Sequence, residues 1–207
     1  MKAMTKSFLM TAVVTFCITL GYGQVTVTDL GQNAFYLGPQ FVSADESSIV
    51  GVSAGYISNG KLDLGITLGL EENNEYDISS TAVRPYIGYL VVKQGENDMP
   101  VNVYIGGAYQ YNIFKDLDEL TANTFSLGSN VSHVIQSSSK IAFVPYFGFS
   151  WSRSQLNLDG YGEESVSGLS FSLGGTLGLD KFFMTPSIAF KKGRSSFAIT
   201  LGMLFNQ

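Results

Sequence analysis

The chain contains little cysteine and little charge. One cysteine is present among 207 residues, and charged residues make up 14% of the chain, against about 25% in a typical soluble domain. A single cysteine cannot build a disulfide scaffold, and a hydrophobic content of 45% is too high for a disordered chain. The charges are mainly acidic, 17 Asp and Glu against 12 Lys and Arg. This balance disfavours nucleic-acid binding, because phosphate contacts require clustered basic side chains.

Long hydrophobic runs are also missing beyond the first residues. After residue 23 no apolar stretch approaches the roughly 18 residues of a transmembrane helix. Before that point, Lys2 and Lys6 precede the uncharged run 8–20, which is followed by the triplet Gly21-Tyr22-Gly23. This order of charge, apolar core and small-residue cleavage site is that of a secretory signal peptide. We therefore predict that residues 1–23 are removed on export and that residues 24–207 form one domain.

Cys17 raises one alternative for this segment, which is cleavage as a lipoprotein. Such processing needs a Leu-small-small-Cys sequence, whereas Val14-Thr15-Phe16 precedes the cysteine. We therefore favour removal of Cys17 together with the signal peptide. The remaining chain then has no thiolate for a metal site and no partner for a disulfide.

Glycine, by contrast, is abundant, with 23 residues, and in many segments it follows a period of two. The clearest case is the segment 61–70, in which aliphatic residues alternate with small or polar ones. This alternation predicts strands with one apolar face. Ten such strands are predicted, at 34–43, 48–58, 61–70, 81–92, 100–112, 123–135, 140–153, 166–179, 181–191 and 195–206.

Short and long connections alternate between these strands, and the pair Asn59-Gly60 marks a tight hairpin turn. Amphipathic strands of about ten residues joined in this way are typical of membrane barrels. We therefore predict an all-β fold, a closed antiparallel transmembrane β-barrel of about ten strands with short periplasmic turns and longer outer loops. If a hairpin at one of the two short outer connections, 44–47 and 192–194, is not real, the barrel has eight strands.

The face opposite the aliphatic residues is predicted to line the lumen. Asp63 and Arg84 are the only clear charges within strand interiors, and both fall on that face together with all but two of the strand glycines. Inward glycines leave room for bulky inward neighbours. A direct ion pair is not expected, and both a filled interior and a charged selectivity filter remain open. The lumen-facing candidates are Asp63, Arg84, Tyr86, Tyr104 and Tyr146, with Tyr36 as a further inward tyrosine.

Four prolines fall in the middle of predicted strands, at Pro39, Pro85, Pro145 and Pro186. Proline has no N–H to donate to a β-ladder, and within sheets it is usually confined to edge strands and bulges. We therefore expect a bulge at each of these positions.

With this pattern of strands, the chain resembles the small outer-membrane β-barrel family of Gram-negative bacteria, which includes porin-like barrels and the membrane domain of OmpA. The most specific element is the last strand, which is similar to the terminal signal read by the family's barrel-assembly machinery, although the chain continues to Asn206 and Gln207. The resemblance implies a monomer in the outer membrane that contacts lipids and lipopolysaccharide. The residues of this signal are Phe197, Ile199, Leu201, Met203 and Phe205.

Candidate catalytic chemistry is sparse. His133 is the only histidine, and acid–base or nucleophilic catalysis commonly relies on one. Its predicted place is the periplasmic rim, where an interfacial polar role is favoured over catalysis. We therefore expect no enzyme, no catalytic residue, no cofactor and no dedicated metal site.

Acidic residues concentrate in the predicted outer connections. They have the oxygen ligands that Ca²⁺ accepts but no defined binding-loop spacing. A solvated acidic surface is the simpler interpretation, and binding of divalent cations or enrichment of cations at a pore mouth is the alternative. The residues are Asp45, Glu46, Glu71, Glu72, Glu75, Asp77, Asp116, Asp118, Glu119, Asp159, Glu163 and Glu164.

Three hypotheses follow. The first is an outer-membrane barrel that works as a narrow porin-like pathway or as a structural or surface-interaction protein. The second is a secreted soluble barrel that binds an apolar ligand as lipocalins do, which requires the aliphatic face to point inward. The third is an outer-membrane hydrolase, which requires His133 to lie beside a Ser or Asp at the outer rim.

Overall fold

The computed structural model describes residues 33–44, 47–73, 78–115, 120–138, 141–158 and 162–206. The predicted signal peptide, residues 1–23, lies outside these ranges. Within them the helical element is a short 3-10 turn, Glu96–Asp98, and no helix is long and apolar enough to cross a membrane. The strands are β1 Ala34–Ala44, β2 Ser47–Ser58, β3 Leu62–Asn73, β4 Ile78–Val92, β5 Asn102–Phe114, β6 Leu120–Ser132, β7 Ile135–Ser138, β8 Ile141–Leu158, β9 Gly162–Leu179, β10 Phe182–Lys191 and β11 Arg194–Asn206.

All strands except the short β7 close into an antiparallel barrel. Each pairs with its neighbour along the chain, β1 pairs with β11, and β6 pairs with β8 over its whole length. The barrel therefore has ten strands, as predicted. The eight-stranded alternative is wrong, because the hairpins β1–β2 and β10–β11 are both fully paired.

The two ends of the barrel differ in their connections. At the end where β1 begins and β11 finishes, the strands are joined through residues 59–61, 93–101, 133–140 and 180–181. We call this the terminal end. The opposite end, here called the loop end, carries the connections 45–46, 74–77, 115–119, 159–161 and 192–193.

Side chains alternate between an apolar outer face and a polar inner face. On β3 the outward residues Leu64, Ile66 and Leu68 are 41–51% exposed, whereas the intervening Asp63 and Thr67 are each 2% exposed. A soluble barrel with an apolar cavity would show the reverse arrangement. The lipocalin-like alternative is therefore wrong.

The outward apolar residues form a belt around the barrel. On β11 the belt runs from Phe197 to Phe205, which at about 3.3 Å per residue and a strand tilt near 40° covers roughly 20–25 Å, close to the apolar band of membrane barrels. Within the described strands the outward charges are Glu72, Arg153 and Glu163, all beyond the belt towards the loop end. The fold is thus a transmembrane β-barrel.

Aromatic rings border the belt at both ends. At the terminal end the ring centroids of Phe35 and Tyr56 are 4.7 Å apart, and towards the loop end those of Phe125 and Trp151 are 6.4 Å apart. Girdles of this kind mark the two membrane–water interfaces of outer-membrane barrels.

The strands extend further towards the loop end than the sequence pattern indicated. Residues 71–73, 78–80, 113–114, 120–122, 154–158 and 162–165 were expected in connections and lie in strands. Beyond the membrane the outer face meets water, so the apolar alternation stops while the hydrogen-bonded ladder continues. Polar composition at these positions therefore does not mark the end of a strand.

The prolines are accommodated differently from the expectation. At Pro39, Pro85 and Pro186 one neighbouring strand pairs normally, and the ladder to the other neighbour skips the proline without an inserted residue. The bulges expected at these three positions are therefore wrong. The bulge expected at Pro145 is wrong as well, because Pro145 pairs normally with β9 and the register on its other side runs from Ser132–Tyr146 to Ile135–Phe143 without an inserted residue. The N–H of His133 donates to the Pro145 carbonyl at 3.1 Å.

Large inward rings lie over glycines of the neighbouring strand. A Cβ added to any of these glycines would collide with the facing ring, so the aromatic side chain occupies the space that the glycine leaves free. Phe183, which the sequence analysis did not single out, follows the same rule. The registered pairs are Tyr36 with Gly55, Tyr86 with Gly65, Tyr146 with Gly174 and Phe183 with Gly202.

We predict that Gly202→Ala destabilises the folded barrel by about 1–3 kcal/mol, the usual cost of overpacking a tight site. The three atoms nearest to the new Cβ all belong to the Phe183 ring, so Phe183→Leu in the same chain should recover most of the loss. Urea unfolding in lipid vesicles, followed by the fluorescence of Trp151, measures both changes.

Gly88→Ala is the matched control, because the nearest atom to its new Cβ is the Asp63 Cβ at 3.8 Å. This substitution should leave the free energy of unfolding nearly unchanged. Equal destabilisation by the two alanines, or no recovery with Phe183→Leu, would contradict the packing described here.

Candidate functional site

The barrel interior holds many buried polar and ionisable side chains of the described residues and is the candidate functional site. The structure places all the lumen-facing candidates on the inner face. Asp63, Arg84, Tyr104 and Tyr146 are between 1% and 5% exposed, and Tyr86 is partly buried.

A tyrosine–aspartate cluster, formed by Tyr36, Asp63 and Tyr86, lies in the half of the interior near the terminal end. The Tyr36 hydroxyl donates to Asp63 Oδ1 at 2.8 Å and is hydrogen-bonded to the Tyr86 hydroxyl. On its other side the Tyr36 ring meets Phe183 edge-on, with centroids 6.3 Å apart. The cluster therefore links β10, β1, β3 and β4 through the interior.

Apolar side chains complete this part of the interior. Ala34, Ile57 and Leu204 are buried against Tyr36 and Phe183, and Tyr86 packs against the same group. A second buried pair, Leu90 with Tyr104, covers β4 and β5. The terminal end of the lumen is thus filled mainly by aromatic and aliphatic groups around the Asp63 carboxylate.

Asp63 and Arg84 belong to different levels of the barrel. Arg84 is registered with Thr67 on β3, four residues from Asp63, which corresponds to about 13 Å along the strand. The Asp63 carboxylate accepts its hydrogen bond from Tyr36 and not from Arg84.

An amide–glutamate network, formed by Glu71, Asn112, Gln110 and Ser80, lies near the loop end. The Asn112 amide Nδ2 donates to Glu71 Oε2 and to Ser80 Oγ, each at 3.1 Å. Gln110 Nε2 donates in turn to Asn112 Oδ1 at 2.7 Å. The network joins β3, β4 and β5 and supplies a hydrogen-bond donor to a fully buried carboxylate.

Lys191 lies on the opposite wall of the same half. Its Nζ donates to Ser152 Oγ at 2.9 Å across β9, and the side chain is buried. Glu71 was expected in an outer connection, and Asp63 and Arg84 were expected to be the only charges in the lumen; both predictions are wrong, because Glu71 lies in β3 and both Glu71 and Lys191 are buried on the inner face. Lys191 is the last residue of β10. Continuing the alternation by two residues at a time from Asp63 would have identified Glu71.

Hydroxyl groups line much of the remaining inner wall. Their pairs join neighbouring strands, as Ser/Thr pairs on one sheet face commonly do, so buried polar groups satisfy one another without charge. The pairs are Ser53 with Thr67 at 2.8 Å, Thr124 with Ser154 at 2.9 Å, Ser150 with Ser170 at 2.6 Å and Thr176 with Thr185 at 2.9 Å.

His133 lies at the terminal end, where the sequence analysis put it. Its side chain is exposed, and Nδ1 donates to the Pro100 carbonyl at 2.7 Å. This end is opposite to the loop end, at which the hydrolase hypothesis required the histidine. The placement therefore favours a role at the interface.

The acidic residues of the predicted outer connections are divided by the structure. Glu71, Glu72, Glu163 and Glu164 belong to strands, and the other eight lie outside the described residues. Outside the barrel wall, Gln155 Nε2 donates to Glu163 Oε1 at 2.7 Å. In the described part of the chain no three His, Cys, Asp or Glu side chains are grouped closely enough to hold a metal ion.

The residues of the predicted assembly signal lie on the lipid-facing side of β11. Phe197, Leu201 and Phe205 are 44–46% exposed, and Ile199 and Met203 are partly exposed between them. The strand itself is paired on both sides, with β1 and β10. These side chains therefore contribute to the apolar belt and not to the interior.

Comparisons with known proteins give matches only at the level of structure. No protein-family model and no curated protein sequence matches the chain. Among solved structures, the N-terminal β-barrel domain of OprF from Pseudomonas aeruginosa is 12% identical, with a TM-score of 0.42, over 84% of this chain and 99% of that one. Ail, the attachment invasion locus protein of Yersinia pestis, is 13% identical, with a TM-score of 0.39, over 84% and 97%.

A third match is a loop-deletion mutant of OmpT, an outer membrane protein of Vibrio cholerae. It is 10% identical, with a TM-score of 0.38, over 80% of this chain and 59% of that chain. At these identities the likeness concerns the fold alone.

We predict that Asn112→Ala lowers the free energy of unfolding by about 1–3 kcal/mol, because it removes a hydrogen-bond donor from the buried Glu71 carboxylate. Asn123→Ala is the control. Asn123 accepts a hydrogen bond from Tyr109 on the outer face. Its substitution should lower the free energy of unfolding by less than half as much. Unfolding by urea in vesicles compares the two, and equal losses would argue against an interior network that stabilises the barrel.

Proposed function

We propose that this protein is an integral outer-membrane β-barrel that closes its own lumen and serves as a structural or surface-interaction protein of the bacterial envelope, not as an open diffusion pore. In this proposal the signal peptide directs export and the apolar belt holds the barrel in the bilayer. The extended hairpins at the loop end then face the outside of the cell.

The burial of the charged inner side chains carries this proposal. Asp63, Glu71, Arg84 and Lys191 are at most 6% exposed, although they point into the barrel. In a water-filled channel such side chains would be hydrated, because an ion gains far more from water than from a lumen without partners. In this barrel Asp63, Glu71 and Lys191 are hydrogen-bonded to neighbouring hydroxyl and amide groups, which favours an interior packed by the protein itself. Barrels of this size have an interior that side chains can nearly fill.

A narrow pathway is the second candidate, and one observation favours it. Gly88, Gly106 and Gly128 are directly registered on β4, β5 and β6, so three adjacent inner positions have no side chain. A solute that followed this wall would still have to pass Tyr86, whose ring belongs to the tyrosine–aspartate cluster.

Surface interaction is the third part of the proposal. The outer connections of the barrel carry an acidic excess in the sequence, which attracts cations to the outer end. Divalent cations that bridge these carboxylates to the phosphates of lipopolysaccharide are the proposed partners. Glu72 and Glu163, which are exposed on the outer face of β3 and β9, belong to the same surface.

We predict that refolded wild-type protein shows no steady conductance in a planar lipid bilayer. The double substitution Tyr36→Ala/Tyr86→Ala removes the rings that fill the terminal end, so it should give stepwise openings in 1 M KCl. Circular dichroism and urea unfolding verify that the variant stays folded.

The control for this test is Tyr89→Ala/Tyr109→Ala, which removes two tyrosines from the outer face, where both are 46% exposed. This variant should remain silent. Conductance by the wild-type protein would overturn closure and favour the narrow pathway. A silent Tyr36→Ala/Tyr86→Ala variant would show that the tyrosine–aspartate cluster is not the seal.

We also predict a role for the last strand in assembly. Phe205→Ala should reduce the amount of protein in the outer membrane several-fold, because the assembly machinery loses part of its signal. The stability of the refolded variant should change little, since the ring is 46% exposed on the lipid face.

Phe35→Ala provides the matched control, because Phe35 is registered with Phe205 on the adjacent strand and is 48% exposed. Quantitative blotting of membrane fractions compares the two variants. Equal abundance of both would mean that Phe205 acts only as a member of the apolar belt.

A further inference from the structure

The lipid-facing wall of β4, β5 and β6 carries an apolar groove of about 700 Å³. Gly107 forms its floor, one of the two outward glycines identified in the sequence. It is registered with Ile87 on one side and Leu127 on the other, so a side chain is missing between two large ones. The groove is bordered by Ile87, Tyr89, Ile105, Tyr109, Phe125 and Leu127.

The position of the groove limits what can occupy it. It lies within the apolar belt, and its β5 floor and border extend over residues 105–109, about 13 Å of strand. A depression in this part of the wall faces hydrocarbon and not water. A stretch of acyl chain fits its apolar walls and its length.

A positively charged side chain, that of Arg153, lies next to the groove at the edge of the membrane. Arg153 is registered with Phe125, and Phe125 with Tyr109, so Arg153 lies about one strand spacing, near 5 Å, from the groove wall. Its side chain is exposed on the outer face, just beyond Trp151. The Tyr109 hydroxyl and the Asn123 amide, hydrogen-bonded at 2.8 Å, lie at the same edge. Arginine is well suited to bind phosphate at such an interface.

We propose that this wall binds one acylated, phosphate-bearing lipid of the surrounding leaflet. One acyl chain lies in the groove over Gly107, and the lipid phosphate is bound by Arg153. The groove accounts for the acyl chain and the arginine for the headgroup, so the site needs both features. The site lies outside the lumen, so it is independent of whether the lumen is closed.

The test uses refolded mature protein in detergent and native mass spectrometry with two lipids of identical chains, phosphatidylglycerol and diacylglycerol. Wild-type protein should bind one phosphatidylglycerol tightly. Gly107→Leu fills the groove and displaces at least two methylene contacts, so it should weaken binding of both lipids by about tenfold. Arg153→Gln should lower the affinity for phosphatidylglycerol by about fivefold and leave the affinity for diacylglycerol unchanged.

Matched controls lie elsewhere on the barrel. Ala54→Leu places the same leucine side chain on the outer face of β2, and Lys192→Gln removes an exposed cation from the β10–β11 turn. Neither should change lipid affinity. If the Gly107→Leu variant does not fold, Gly107→Ala is the milder substitution to use. Its Cβ would lie 3.1 Å from the mobile end of Leu127, and it should give an intermediate loss.

Three results would overturn the proposal. The first is unchanged lipid affinity in folded Gly107→Leu and Gly107→Ala. The second is an equal effect of Arg153→Gln on both lipids, which would remove the headgroup contact. The third is a wild-type dimer that Gly107→Leu converts to monomer, which would assign the groove to a second copy of the chain.

Discussion

The protein depends on a wall that is closed on every side by its own hydrogen-bonded ladder. In a bilayer no water is present to bind a free backbone N–H or C=O, so an exposed strand edge would cost several kcal/mol per group. The pairings of β1 with β11 and of β6 with β8 give each of the ten barrel strands a partner on both sides. Once the wall is closed, each side chain has only two possible environments, the lipid outside and a small volume inside.

The small inner volume explains the pattern of glycine and aromatic residues. Four large inward rings, Tyr36, Tyr86, Tyr146 and Phe183, each face a glycine, which leaves the space that the ring occupies. The rings then meet one another through the interior, as Tyr36 does with Phe183 and Tyr86. The prolines fit the same constraint, because a continuous ladder tolerates the loss of single hydrogen bonds more readily than a change of register.

Polarity is inverted relative to a soluble protein. Aliphatic side chains face outward because lipid is the apolar solvent, and the interior holds hydroxyls, amides and a few charges. These groups stay buried because each network provides partners: Asn112 for Glu71, Ser152 for Lys191 and Tyr36 for Asp63. Because the outer wall faces lipid, an outward position without a side chain, such as Gly107, creates a groove for lipid and not for water.

Much of this architecture could be predicted from sequence, because strand alternation is local. Every second residue points the same way, so the parity of Leu64 and Asp63 already assigned one face to lipid and the other to the lumen. Ten amphipathic segments and the low charge then led to a closed barrel. The positions of Tyr104 and Tyr146 followed from the same parity.

Where the strands end, and which residues meet, was decided only by the tertiary structure. The alternation stops at the membrane surface, so Glu71 was taken for a loop residue although the ladder carries it into the interior. Contacts such as Tyr36 with Tyr86, or Arg153 beside the groove over Gly107, depend on the register of several successive strand pairs. Register is a non-local quantity, set by closure of the whole barrel, and the alternation within any single strand contains no information about it.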